Sequence, residues 1–442
     1  MTDHMAGEIT EEGGVTSWND CHLYKVRDQR KPETVEDPEP EKLRSEIEPW
    51  LTALFQSEHL SLLLGGGMSS ATHWLAKSAA GAGMSQIPFS VFQEQIEQAA
   101  KESAEKSGRG EPNIEDQIRV SNELIKGLGL YVSSDVYGAK GIRKNLAKFE
   151  RELADGLTAF ANLILESERN IIQSANSELA AECLMSFLIS FASRSATRER
   201  LNIFTTNYDR VVEYGSELAG IRLIDRFVGT VNPVFRSSRV EVDMHYNPPG
   251  IRGEPRYLEG VVHFTKLHGS LDWSVKDGVV RRYALPYGAE GIGTYLDEGS
   301  DNLLIYPNAA KDKETSEYPY VELFRDFAAS VCRPNSTVVV YGYSFGDEHI
   351  NRVIVDMLTI PSTHVVIISF DDQGDRIKRF YERVKRPAQI SLLVGKHFGD
   401  LKTLIDNYLP KPAIDRTTIK MADLLKARGI AAPQSGHGEG EL

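Results

Sequence analysis

Short apolar runs that do not alternate with polar residues restrict this chain more than any other feature. Leu60–Leu64, Asn202–Thr206, Val261–Leu267, Thr337–Tyr341, Val365–Phe370 and Gln389–Val394 are such runs, bounded by Gly or Asn. A strand with one wet face alternates with period two, whereas one that is apolar throughout needs cover on both faces. From about Phe89 to Ser195 the pattern becomes helical, rich in Glu, Ala, Lys, Gln and Leu. There Phe149, Leu153, Leu157, Phe160 and Leu163 recur every three to four residues and mark one amphipathic face. Strands separated by helices predict an α/β fold: a doubly wound, mostly parallel, Rossmann-like sheet with a large helical insertion at about 88–200.

With 442 residues the chain can bury a large core unaided. Its net charge is −13, and residues 1–42 hold 11 acids against 5 bases. That stretch is polar and Pro/Glu-rich, so it reads as a flexible acidic arm ahead of a domain over 43–412. Residues 413–442 read as a tail with one short helix over 414–430. So acidic a chain is a poor coat for nucleic acid, and no direct sequence-specific nucleic-acid binding is expected. Three scattered cysteines (Cys21, Cys183, Cys332) exclude a disulfide framework and a Cys-pair zinc site. His245, His263 and His268 lack ligand-pair spacing, so no metal is expected. No apolar run reaches the length of a membrane span and no signal-peptide core is present, which predicts a cytoplasmic protein with no membrane contact.

Polar groups gather where the apolar runs end, and the carboxyl ends of parallel strands are where open α/β sheets bind ligands. Leu62-Leu-Leu-Gly-Gly-Gly-Met-Ser-Ser70 is a strand running through glycines into a helix, a suitable cradle for phosphate. It lacks the third glycine of the dinucleotide fingerprint and the lysine of a P-loop, and a tight turn capped by Ser69 or Ser70 explains it equally well. Ile203-Phe-Thr-Thr-Asn-Tyr-Asp209 offers more hydrogen-bonding groups than a turn needs, although Asn207 or Asp209 also suits a helix cap. Phe264-Thr-Lys-Leu-His-Gly-Ser-Leu-Asp-Trp273 ends a third strand in His268 and a permissive Gly269. Gly342-Tyr-Ser-Phe-Gly346 matches the nucleophile elbow of serine hydrolases, with Asp371 or Asp372 and then His397 in triad order. Against that reading, an elbow leaves the other two strand ends without a role. Asp347 reads as the cap of the next helix.

Taken together, Gly-Gly-Gly-Met-Ser, Thr-Thr-Asn-Tyr-Asp, Lys-Leu-His-Gly-Ser and Gly-Tyr-Ser-Phe-Gly-Asp-Glu-His-Ile-Asn resemble, in order, the sirtuin-like NAD-binding fold. They are most similar to bacterial antiviral sirtuin-like proteins that work with a HerA-type ATPase, and Leu-Ile-Tyr-Pro at 304–307 fits as well. The resemblance covers roughly residues 50–410. It departs from protein-deacetylating sirtuins in lacking paired zinc cysteines, and its loop has glycine where the family usually has alanine. By resemblance, Gly65, Gly66, Gly67 and Ser69 surround the NAD diphosphate. Thr206, Gly342 and Ser344 add further dinucleotide contacts, which makes Ser344 a ligand contact and no nucleophile. Asn207 contacts the ribose and positions water, Asp209 holds the nicotinamide carboxamide, and His268 is the general base. The resemblance implies hydrolysis of NAD to nicotinamide and ADP-ribose in antiphage defence, by a homo-oligomer docked on a HerA-like ATPase. A serine hydrolase using Ser344 and a non-catalytic NAD or ADP-ribose sensor are the alternatives.

Overall fold

The computed structural model describes Trp18 and residues 21–411, apart from residue 28 and segments 79–85, 107–110, 134–138, 195–197, 239–242, 247–255, 295–301 and 306–317. Each of the apolar runs becomes a strand of one nine-stranded sheet. In chain order its strands are β1 (His22–Lys25), β2 (Glu33–Val35), β3 (His59–Leu64), β4 (Asn202–Thr205), β5 (Arg222–Ile224), β6 (Val261–Lys266), β7 (Ser336–Tyr341), β8 (His364–Ser369) and β9 (Ile390–Val394). Their spatial order is β2-β1-β9-β8-β7-β3-β4-β6-β5, and all pairs from β9 across to β5 are parallel.

The unbroken apolar runs have the predicted cause. Leu62 and Leu64 of β3 face one core with helices α1 (Pro40–Phe55), α2 (Gly66–Ala76), α6 (Ser177–Ala192) and α7 (Val211–Leu218). Leu63 faces the other with α8 (Tyr320–Val331), α9 (Glu348–Met357) and α10 (Arg376–Val384). All three leucines are fully buried, each stabilising the fold by roughly 1.5–3 kcal/mol. Between β3 and β4 lie α3 (Gln93–Lys106), α4 (Ile114–Ser133), α5 (Ala139–Gln173) and α6, which make up the expected insertion. On α5 the buried line runs Phe149, Leu153, Phe160, Ile164. The expected Leu163 is 42% exposed, because the step after Phe160 is four residues and leaves 163 beside the face. A second sheet follows β6. It includes Gly269–Lys276 and Val279–Arg282.

The acidic arm needs correction. Residues 22–25 form β1, which pairs antiparallel with β9, and β2 pairs with β1. Leu23 and Val26 are buried, and the buried Lys25 ammonium donates to the carbonyls of Pro387 (2.6 Å) and Ile390 (2.9 Å). Helix α1 also opens at Pro40, three residues before the predicted domain start, with proline in the first turn where no N–H is missed. Charge in the flanking residues hid a strand of only four residues. Its role is to cover the β9 edge, which would otherwise expose unpaired backbone groups. The helix expected over 414–430 and most of 1–20 lie outside the described residues.

Leu23→Ala should therefore destabilise the protein by about 2 kcal/mol or more, read as an earlier midpoint in urea unfolding. An unchanged midpoint would show that the β1–β9 pairing contributes little.

Candidate active site

Strand register builds the site. Leu64 lies opposite Thr205 on one side and Tyr341 on the other, and Thr205 lies opposite Lys266. One residue further along each strand come Gly342, Gly65, Thr206 and Leu267; one further still come Tyr343, Gly66, Asn207 and His268. Neighbouring strands stand about 4.8 Å apart, so the four strand ends make a rim on the order of 15 Å long. The chain leaves β3 towards β4 on one side and returns to its other side as β7. This is the switch point where such sheets open a crevice.

The glycines close that switch point backbone against backbone. A Cβ on Gly65 would lie 2.5 Å from the Gly342 oxygen, and one on Gly67 would lie 2.5 Å from the Gly342 Cα. Gly342 itself has φ +61 and reciprocates the contact, while the Gly67 N–H donates to its carbonyl (2.9 Å). Glycine is thus required at 65 and 67 by the β7 turn, a different reason from the phosphate contact expected of all three. Gly66 alone is exposed, with nothing within 4 Å of where a Cβ would stand.

The β4 end is held from two sides. Asn207 is buried, and its Nδ2 donates to the Gly65 carbonyl and to Ser69 Oγ, both at 3.0 Å. Both amide hydrogens are thereby used, and the group Asn207 retains for a ligand is its carbonyl oxygen. Ser69 Oγ donates to Asp209 Oδ2 (2.6 Å), and Asp209 Oδ1 accepts the Val211 N–H at the start of α7. The backbone N–H of Thr206 continues the ladder to Leu64. Tyr208 and Arg210 reach instead into the helical insertion. The Tyr208 hydroxyl donates to Glu115 of α4 (3.1 Å), and Arg210 clasps Glu168 of α5 (2.5 Å), an acid with no exposed surface. Burial raises the Glu168 pKa while Arg210 opposes it. Beneath the loop, the buried Lys266 ammonium holds the carbonyls of Tyr208 and Asp209 and the Glu213 carboxylate.

His268 stands two residues after β6, and Gly269 after it has φ +87, the left-handed conformation that a glycine permits. The buried imidazole meets Asp347 through Nε2 and Oδ2 at 2.8 Å. Asp347 Oδ1 meanwhile accepts the His349 and Ile350 N–H groups and caps α9, as the sequence suggested. One carboxylate therefore starts a helix and orients a histidine. Only the first job was legible beforehand.

Against known families, residues 201–386 match a SIR2-like domain. The matched stretch includes the Thr-Thr-Asn-Tyr-Asp, Lys-Leu-His-Gly-Ser and Gly-Tyr-Ser segments, and it begins after the triple glycine. With the parallel sheet, it supports a Rossmann-like, sirtuin-like fold and is consistent with an NAD-related role. Comparison with curated proteins gives no match. No described helix is long and apolar enough to cross a membrane, and among the described residues no three His, Cys, Asp or Glu side chains converge to hold a metal.

The backbone around Ser344 lacks the strain of a nucleophile elbow. Left-handed backbone falls at Gly342 and Phe345 and spares the serine, where an elbow would put its strain. The remaining triad candidates are committed elsewhere: His397 bonds Tyr408 (2.6 Å), Asp371 accepts from Gln373, and Asp372 accepts the Lys378 N–H. Glu115, Glu168, Arg210, Lys266 and Asp347 were missed as supports, since pairs so far apart in sequence have no spacing signal.

Gly66→Ala should leave the melting temperature nearly unchanged. Gly67→Ala and Gly342→Ala should each cost on the order of 3 kcal/mol through backbone collision, with left-handed strain added at 342. Equal stability of all three variants, by thermal denaturation, would refute the backbone contact.

Proposed function

We propose that the protein hydrolyses NAD at the nicotinamide–ribose bond, giving nicotinamide and ADP-ribose. What supports this most is that Asn207 and His268 each lie two residues beyond Thr205 and Lys266, which pair on adjacent parallel strands, beside a glycine turn open at Gly66. NAD needs little from its enzyme in one respect: its pyridine ring is cationic and leaves neutral, so no general acid is required, unlike ordinary glycoside cleavage. The bond between C1′ and the ring nitrogen breaks with its electron pair going to nicotinamide, and a water oxygen bonds to C1′.

The residues divide this work. Gly66 and the start of α2 accept the diphosphate, with the Gly66 N–H and the positive helix end opposing its charge, since the N–H groups of Gly65, Gly67 and Met68 are already bonded. The Asn207 carbonyl oxygen accepts a hydrogen from the attacking water, and the amide needs no shifted pKa to do so. His268, held in place by Asp347, takes the proton that water releases. Positioning of this kind supplies up to about 7–11 kcal/mol when reacting groups are well aligned. Asp209, Thr206 and Ser344 are assigned to the nicotinamide amide and the rest of the dinucleotide. On the strength of the motif resemblance we extend the proposal to defence by NAD depletion, as a homo-oligomer with a HerA-like ATPase.

His268→Gln, which can still donate to Asp347, should lower nicotinamide release at least 100-fold, as should Asn207→Ala. Asp347→Asn should reduce kcat, because the imidazole loses the carboxylate that orients it. The assays are run alone and with the HerA-type ATPase, whose co-elution tests the assembly. Full turnover in His268→Gln contradicts the mechanism, and tight NAD binding without turnover under either condition favours the sensor.

A further inference from the structure

Behind the loop that carries Asn207, between α7, the β5–β6 edge and the second sheet, lies a cavity of about 610 Å³ that the proposed reaction does not use. Its size is within the range of small-molecule sites. Charge bookkeeping across its wall leaves a remainder. Every Lys and Arg that lines it already has an acid: Lys266 holds Glu213, Arg282 holds Asp225, Arg226 holds Asp326 and Arg210 holds Glu168. Asp272 also lines it, 8% exposed, and its Oδ1 has no hydrogen-bond partner. Two further wall atoms, Glu213 Oε2 and the Tyr283 hydroxyl, are buried in the same condition. The backbone fixes Tyr283 beside Asp272, since its N–H donates to the Asp272 carbonyl at 2.9 Å.

A buried carboxylate oxygen left unpaired costs about 1–3 kcal/mol or more, so three orphaned polar atoms on residues lining one cavity call for a donor from outside. Burial pushes the Glu213 carboxyl up to about 7, whereas Asp272 Oδ1, when ionised, accepts and cannot donate, so the partner it lacks carries N–H groups and positive charge. The lining is also aromatic: Phe227 and Trp273 pack with ring centroids 4.9 Å apart and both line the space. Among the described residues no third ligating side chain joins the two acids, which favours an organic cation over a metal ion.

We propose that this cavity is a second ligand site, for a small organic cation whose amidinium, guanidinium or amine sits on Asp272 and whose apolar body lies along Phe227 and Trp273. The site does not depend on NAD cleavage and can be tested separately on the full chain. Benzamidine is the probe, a planar cation with paired N–H donors on an aromatic ring, and benzoate is the same ring with opposite charge. Calorimetric titration should show saturable benzamidine binding, no benzoate binding, and a loss of about tenfold or more in Asp272→Asn. Circular dichroism checks that Asp272→Asn folds. Tyr283→Phe, which removes one hydroxyl, should weaken benzamidine severalfold and serves if Asp272→Asn does not fold. Absence of saturable binding, equal binding of benzoate, or unchanged affinity in the folded variant would overturn the site and leave the orphaned atoms to water.

Discussion

The turn after β3 and the turn after β7 touch through backbone alone, and the rest of the site depends on that contact. No side chain fits between Gly67 and Gly342, and a single N–H to carbonyl bond joins them. Because the two turns meet, α2 starts directly at the sheet edge, and its first turn faces the β4 end closely enough for Asn207 to bond both Gly65 and Ser69. A methyl group at either glycine would push the helix start away from the rim. The register of the parallel strands does the remainder, setting the ends of β3, β4, β6 and β7 at one level.

Side chains along the β4 loop alternate in duty. Asn207 and Asp209 turn towards α2 and the rim, while Tyr208 and Arg210 anchor the loop to the helical insertion. The insertion is therefore a clamp as well as a covering layer. Breaking the Glu168–Arg210 clasp from one side would leave a buried charge unpaired, so the loop is held by more than its own turn chemistry. Lys266 adds a third anchor from below. On the far side of the rim, Asp347 gives His268 a fixed ring orientation without occupying a separate position in the chain.

Much of this was legible in the residues because local physics wrote it there. Strands buried on both faces must be apolar throughout, so the parallel core was visible. Polar residues at strand ends cannot be explained by packing, so Thr-Thr-Asn-Tyr-Asp and His268 stood out. What escaped was either too short or too distant to leave a pattern. The strand at Leu23 has four residues inside an acidic stretch, and its value comes from an edge contributed about 370 residues later. Leu163 was lost to the drift of a 3.6-residue helix along a 35-residue element. The glycines were identified correctly as special, but the neighbour that makes them so is another backbone turn, which a single sequence does not display. Asp347 looked like a cap and is one, and its second partner lies 79 residues away in the chain.

The central claim is that the strand-end rim, and no other cavity, takes the dinucleotide. Its most direct test is a crystal structure of the complex with a carbocyclic NAD analogue, which binds as NAD but keeps its pyridine attached. The diphosphate is expected beside Gly66 and the start of α2, with the pseudo-ribose C1′ between the Asn207 carbonyl and His268. Density for the analogue elsewhere, in the cavity lined by Asp272 above all, or with C1′ out of reach of both side chains, would contradict it.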